Sequence, residues 1–181
     1  MLYRLADRSY DKRRRAAAEV TNLVKGLVEE NDKDTIASVL LLLVQEFCQA
    51  RNPNHRKGGL IGLSAVCVSF SANTLSHRHN RNISGRGIRV GTRTASPSLL
   101  VELYLHLLVP PIIHCFYDQD SRVVYYACEA MYNVVKLGRS SVLVYFNDIF
   151  DGLCSLFAHV DVDVKNGKIH AKCVYISVKC V

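Results

Sequence analysis

Tyr117-Asp-Gln-Asp-Ser-Arg-Val-Val-Tyr-Tyr-Ala-Cys-Glu-Ala-Met-Tyr-Asn-Val-Val-Lys136 reads as an acidic turn that opens an amphipathic helix. Asp118, Asp120 and Ser121 carry short side chains able to accept from backbone N–H groups, which the first turn of a helix leaves unpaired and partly positive. The helix is therefore expected to start near Asp120. Behind it Val124, Ala127, Cys128, Met131 and Val135 fall on one apolar stripe of helical period, while Arg122, Glu129, Asn133 and Lys136 fall off it. Such a helix buries its stripe against a neighbour, and no reactive pattern accompanies it.

The same unit recurs. Asp118 to Arg122 matches Asp161-Val162-Asp163-Val164-Lys165 and Asn52-Pro53-Asn54-His55-Arg56, with a weaker copy at Arg8-Ser9-Tyr10-Asp11-Lys12. The intervals are 44 residues from Lys12 to Arg56, 66 from Arg56 to Arg122 and 43 from Arg122 to Lys165. The first and last fit the period of about 40 to 47 residues of HEAT or armadillo repeats. Ala17-Ala18-Glu19-Val20 also aligns with Ala127-Cys128-Glu129-Ala130. The expected fold is all-α, a HEAT/armadillo-like helical solenoid in which neighbouring repeats bury one another's apolar faces.

Its expected divisions are HEAT repeats over 1–70 with the first incomplete, a basic loop insert over 71–98, further repeats over 99–166, and a divergent, poorly packed tail over 167–181. The insert lacks helical period and contains Gly85-Arg86-Gly87. Its Arg78, Arg81, Arg86, Arg89 and Arg93 face no acidic residue, so it carries five of the seven net positive charges. It reads as a solvated loop, as translated non-coding sequence, or as an arginine-rich arm for RNA or anionic lipid. The last option gives the rival function, a basic nucleic-acid-binding adaptor.

With 49% hydrophobic and 22% charged residues the chain can bury a core. No signal peptide or membrane span is expected, because Glu102, His106 and Pro110-Pro111 interrupt the longest apolar run. The seven cysteines form no C-x-x-C pair and read as reduced core thiols of a cytoplasmic protein. His77 and His79 lack companions for a zinc site. No catalytic residue, metal or cofactor is expected. Ser64 lacks the second glycine of a nucleophile elbow, and the aspartate pairs lack a histidine or phosphate loop beside them. Asp118, Asp120, Arg122, Asp161, Asp163 and Lys165 are expected to cap helices and link successive repeats. Pro110-Pro111 should kink or end its helix before Ile112. Lys12 to Arg15 reads as a solvated basic face. The candidates for a protein interface are Tyr125 and Tyr132, as exposed aromatics, and Arg56, Lys57, Gly58 and Gly59, as a basic pair beside bare backbone.

Arg56-Lys57-Gly58-Gly59-Leu60-Ile61-Gly62-Leu63, the helix around Tyr125-Tyr126-Ala127-Cys128-Glu129-Ala130, and Phe146-Asn147-Asp148-Ile149-Phe150-Asp151-Gly152-Leu153 closely resemble the N-terminal HEAT repeats of the vacuole-morphology scaffold (Vac fourteen) family. The resemblance runs from about Asp7 to Asn166, interrupted by the insert. It implies a non-catalytic scaffold for the phosphatidylinositol 3-phosphate 5-kinase and its opposing lipid phosphatase, supporting phosphatidylinositol 3,5-bisphosphate synthesis. It further implies peripheral attachment to the cytosolic face of endosomal and vacuolar membranes, and a full-length protein that self-associates.

Overall fold

The structure, a computed structural model, describes residues 2–79 and 97–157, with side chains described for 2–71 and 97–156. The tail, Asp161, Asp163 and Lys165, residues 80–96 of the insert and the His77 and His79 side chains lie outside the described residues. Among the described residues the chain is all-α, with six α-helices and no strand. They are α1 (Tyr10–Glu30), α2 (Lys33–Leu42), α3 (Pro53–His79), α4 (Pro97–His114), α5 (Ser121–Gly138) and α6 (Phe146–Phe157). A π turn, Leu43–Cys48, prolongs α2, and the 3-10 turns Leu2–Ala6, Cys115–Tyr117 and Arg139–Tyr145 join or extend the rest.

The starts follow the capping chemistry. The Asp32 carboxylate accepts from Thr35 N (3.0 Å) at α2, and the Asp120 carboxylate accepts from Arg122 N (2.9 Å) and Val123 N (3.3 Å) at α5. Helix α1 stops at Asn31, which takes the left-handed conformation (φ 57°) open to asparagine, and its N–H returns to Val28 O.

Helices α1, α3 and α5 form one layer, with α3 packed between the other two, while α2 and α4 lie behind it. The three layer helices share a register. Counted from their N-caps Ser9, Asn52 and Asp120, the buried sites Ala16, Gly59 and Ala127 coincide, as do Val20, Leu63 and Met131, and Val24, Cys67 and Val135. This is a helical repeat, and it corrects the register read from the polar turns. Arg56 corresponds to Arg13 and Val124, not to Lys12 and Arg122, because the buried face fixes the phase of a helix while its capping turn can slip by a residue or two.

Two other expectations change. Helix α3 runs through His79 and α4 opens at Pro97, so both ends of the expected 71–98 loop are helical. Helix α4 continues through Pro110 and Pro111 to His114. Two prolines forfeit two backbone hydrogen bonds, but the other side of the helix buries Leu105, Leu108, Val109 and Ile112 in the core, which holds it in place. The stretch Pro97–Tyr117 is apolar and long enough to cross a bilayer, yet half of it is buried within the protein, so core packing accounts for its composition. In α6, Phe150 is exposed, and Ile149, Leu153 and Leu156 make the buried face.

Cys48, Cys67, Cys115 and Cys128 are buried, and burial pushes the Cys67 and Cys115 thiols up to about 12. They are unreactive packing groups. Cys154 is exposed.

Candidate protein-binding groove

The acidic turn before α5 meets the start of α3. Arg56 reaches Asp118 through two parallel bonds, Nε to Oδ2 at 2.5 Å and Nη2 to Oδ1 at 2.9 Å, while its Nη1 donates to Ala50 O (2.9 Å) and Arg51 O (2.6 Å). The fork geometry matches a carboxylate, and both side chains are largely out of water, at 19% and 8% exposure. The hydrogen bond that Arg56 donates to Asp118 raises the Arg56 pKa. Beside it Lys57 Nζ lies 2.9 Å from Asp120 Oδ2. Burial works to raise Asp120, but the Lys57 hydrogen bond and the two capping N–H groups leave its pKa below the ordinary value of 3.8. Asp120 thus caps α5, Asp118 accepts from the Asp120 N–H (2.9 Å), and both bind the preceding repeat. The Arg122 side chain is exposed and contributes only its N–H to the cap.

Gly58 and Gly59 are buried, which corrects their assignment to a bare docking surface. A Cβ on Gly58 would strike the Leu5 carbonyl, and one on Gly59 would lie 2.6 Å from Cys48 Sγ and 2.8 Å from Cys48 N. The glycines let α3 close against the chain's own N-terminal and π turns.

On the open side of the α1–α3–α5 layer lies a groove. Its floor is α3, through Leu60, Ile61, Ser64, Ala65 and Val68; Ala17, Ala18 and Thr21 of α1 form one wall, and Tyr126 and Glu129 of α5 the other, enclosing about 380 Å³. It continues into a polar lobe of about 440 Å³ bounded by Tyr10, Arg13, Lys57, Arg122, Tyr125, Tyr126 and Glu129. Two of the expected interface residues, Lys57 and Tyr125, therefore meet in one cleft. Tyr132 lies farther along α5, with the Lys136 ammonium 5.7 Å from its ring centre. Tyr125 and Tyr132 are half-buried rather than exposed; Tyr125 packs edge-on to Tyr126, 5.4 Å between centroids.

Ser64 accepts a hydrogen bond from Asn133 Nδ2 at 2.6 Å. An amide cannot serve as a general base, and no histidine lines either lobe. What sequence reasoning missed is Arg13. It was hidden in a run of four basic residues, yet only 6% of it is exposed. Its signal was its place four residues past the N-cap, the same as Arg56.

The vacuolar 14 Fab1-binding region family matches residues 54–172, which run from the second residue of α3 through α6. The chain is 43% identical over 162 residues to Protein VAC14 homolog of Arabidopsis thaliana, covering 90% of this chain and 18% of that relative. It is 36% identical over 165 residues to the Schizosaccharomyces pombe Protein VAC14 homolog, covering 90% and 17%. It is also 35% identical over 162 residues to Vacuole morphology and inheritance protein 14 of Saccharomyces cerevisiae, covering 89% and 16%. The chain thus spans less than a fifth of the length of these relatives. No solved structure matches it. An all-α helical repeat with its layer helices in one register, matched by this region over most of its length, belongs to the vacuolar 14 Fab1-binding family.

Proposed function

We infer that the chain is a non-catalytic scaffold segment, a HEAT-type helical repeat that binds the Fab1 phosphatidylinositol 3-phosphate 5-kinase. The observation that carries this is the match of a Fab1-binding region to the helices α3 and α5 that build the groove. A cleft walled by Tyr125, Tyr126 and Tyr10 suits such a contact, since tyrosines supply large contact area with a polar tip and lose little side-chain entropy. In this reading the assembly holds the kinase beside its opposing lipid phosphatase on the cytosolic face of vacuolar and endosomal membranes. It thereby supports phosphatidylinositol 3,5-bisphosphate synthesis, and self-association belongs to the longer protein.

The test is capture of the kinase by the purified chain, comparing wild type with Tyr125→Ala and Tyr132→Ala. Capture should fall at least about tenfold with Tyr125→Ala, the size of a single aromatic contact at an interface centre, and less with Tyr132→Ala. Capture unchanged by both substitutions would overturn the groove as the kinase's site.

A further inference from the structure

Arg13 and Arg56 hold the same place in successive repeats and make the same local bonds. Arg13 Nη1 donates to Asp7 O (2.6 Å) and Arg8 O (3.1 Å), as Arg56 Nη1 donates to Ala50 O and Arg51 O. They differ at the other edge of the guanidinium. Arg56 Nε is taken by Asp118, which lies two residues before the N-cap of the next layer helix. The residue two before the N-cap of α3 is Ala50, which has no carboxylate. Arg13 Nε is accordingly buried with no hydrogen-bond partner, in a side chain more than nine-tenths covered that lines the polar lobe of the groove. An orphaned charged donor is costly to keep buried, so its persistence calls for an explanation, and a ligand that satisfies it is one.

We propose that Arg13 and Arg122 form a carboxylate-binding subsite that takes an acidic side chain from a segment of a partner protein lying along the groove. The occupant's chemistry is written in the chain itself, because the equivalent arginine one repeat later is completed by an aspartate. Charge agrees. Arg13, Lys57 and Arg122 face this lobe against the single carboxylate of Glu129, and Asp120, taken up by Lys57 and the capping N–H groups of α5, does not line it. The basic residues Arg14 and Arg15 follow on α1. The adjoining lobe is floored by Leu60, Ile61, Ala65 and Val68, which suits the apolar side chains of a peptide rather than a lone ion. The inference goes beyond the scaffold reading, since it rests on Arg13 and Ala50 whichever protein supplies the segment.

The experiment measures binding of a fluorescent polyglutamate peptide to the full chain by anisotropy, with wild type, Ala50→Asp and Arg122→Glu. Ala50→Asp restores the missing internal carboxylate, so it should occupy Arg13, weaken peptide binding about tenfold and leave the fold intact. Arg122→Glu reverses an exposed charge and should weaken binding comparably. Retained helical circular dichroism in both variants, with binding lost, supports the subsite. Binding that neither variant changes would overturn it by showing that the peptide sits on the basic run of α1. Absence of wild-type binding would also overturn it, as would capture by phosphatidylcholine vesicles containing phosphatidylinositol 3-phosphate without capture of the peptide. Kinase capture is a separate assay, so its loss or retention bears on the scaffold reading alone.

Discussion

The junction between the first and second layer helices and the junction between the second and third are built on one plan and finished differently. At the second, Arg56 bridges the carbonyls of its own turn to the carboxylate of Asp118, and Lys57 repeats the link with Asp120. At the first, Arg13 gathers its own turn's carbonyls but finds Ala50 where the carboxylate would be. A closed ion pair between repeats fixes their relative placement. An arginine left with an orphaned edge trades some of that stability for the capacity to bind. The lesson is that a polar ladder in a repeat protein can be a structural joint at one rung and a recognition site at the next.

Breaking the closed junction should have the largest effect. Asp118→Ala strands a largely buried guanidinium and should cost about 3 kcal/mol in urea unfolding, with much of the loss appearing as coupling to Arg56 in a double-mutant cycle. A coupling near zero would make the pair incidental. Next is the packing behind both junctions. Gly58→Ala drives a Cβ into the Leu5 carbonyl and should cost about 2 kcal/mol by the same measurement. Closing the open junction works in the other direction: Ala50→Asp should stabilise the chain by about 1 kcal/mol, read as a raised urea midpoint at unchanged slope. An unchanged or lowered midpoint would mean that the two junctions are not equivalent.

The smallest effect is one of pH. The folded-state pKa of Asp120 lies below its ordinary 3.8, so the unfolded chain binds its proton more readily. Its contribution is therefore fully present above that ordinary value and is lost as pH falls through the lower, folded-state pKa. The acid unfolding curve of Lys57→Met should be shallower than that of wild type in that window. Identical curves would remove Lys57 from the account of the junction.

The two junctions also separate what was legible in sequence from what was not. The acidic turns, the amphipathic stripe of α5 and the recurrence near 40 residues predicted a helical repeat, since capping residues and a 3.6-residue period are local properties. The period alone could not fix register. The turn-to-turn alignment paired Arg122 with Arg56, whereas burial pairs Val124 with it. Gly58 and Gly59 signalled close approach, but a string of residues does not reveal that the approaching surface is the chain's own Leu5 and Cys48. Tyr125 and Tyr132 stood off the apolar stripe and read as exposed, yet neighbouring side chains half-cover both.

By itself, then, the sequence determined the class of fold, the position of the α5 cap and the aspartates that hold it, because those depend on neighbours within a turn or two. The tertiary structure decided which aspartate meets which arginine, 62 residues away in the chain, and which arginine meets none. It also decided that Lys57, Arg13 and Tyr125 share one cleft. The reason is geometric: the stacking of α1, α3 and α5 brings distant helix starts together, and whether a charge there is a joint or a site depends on what the next repeat places opposite it.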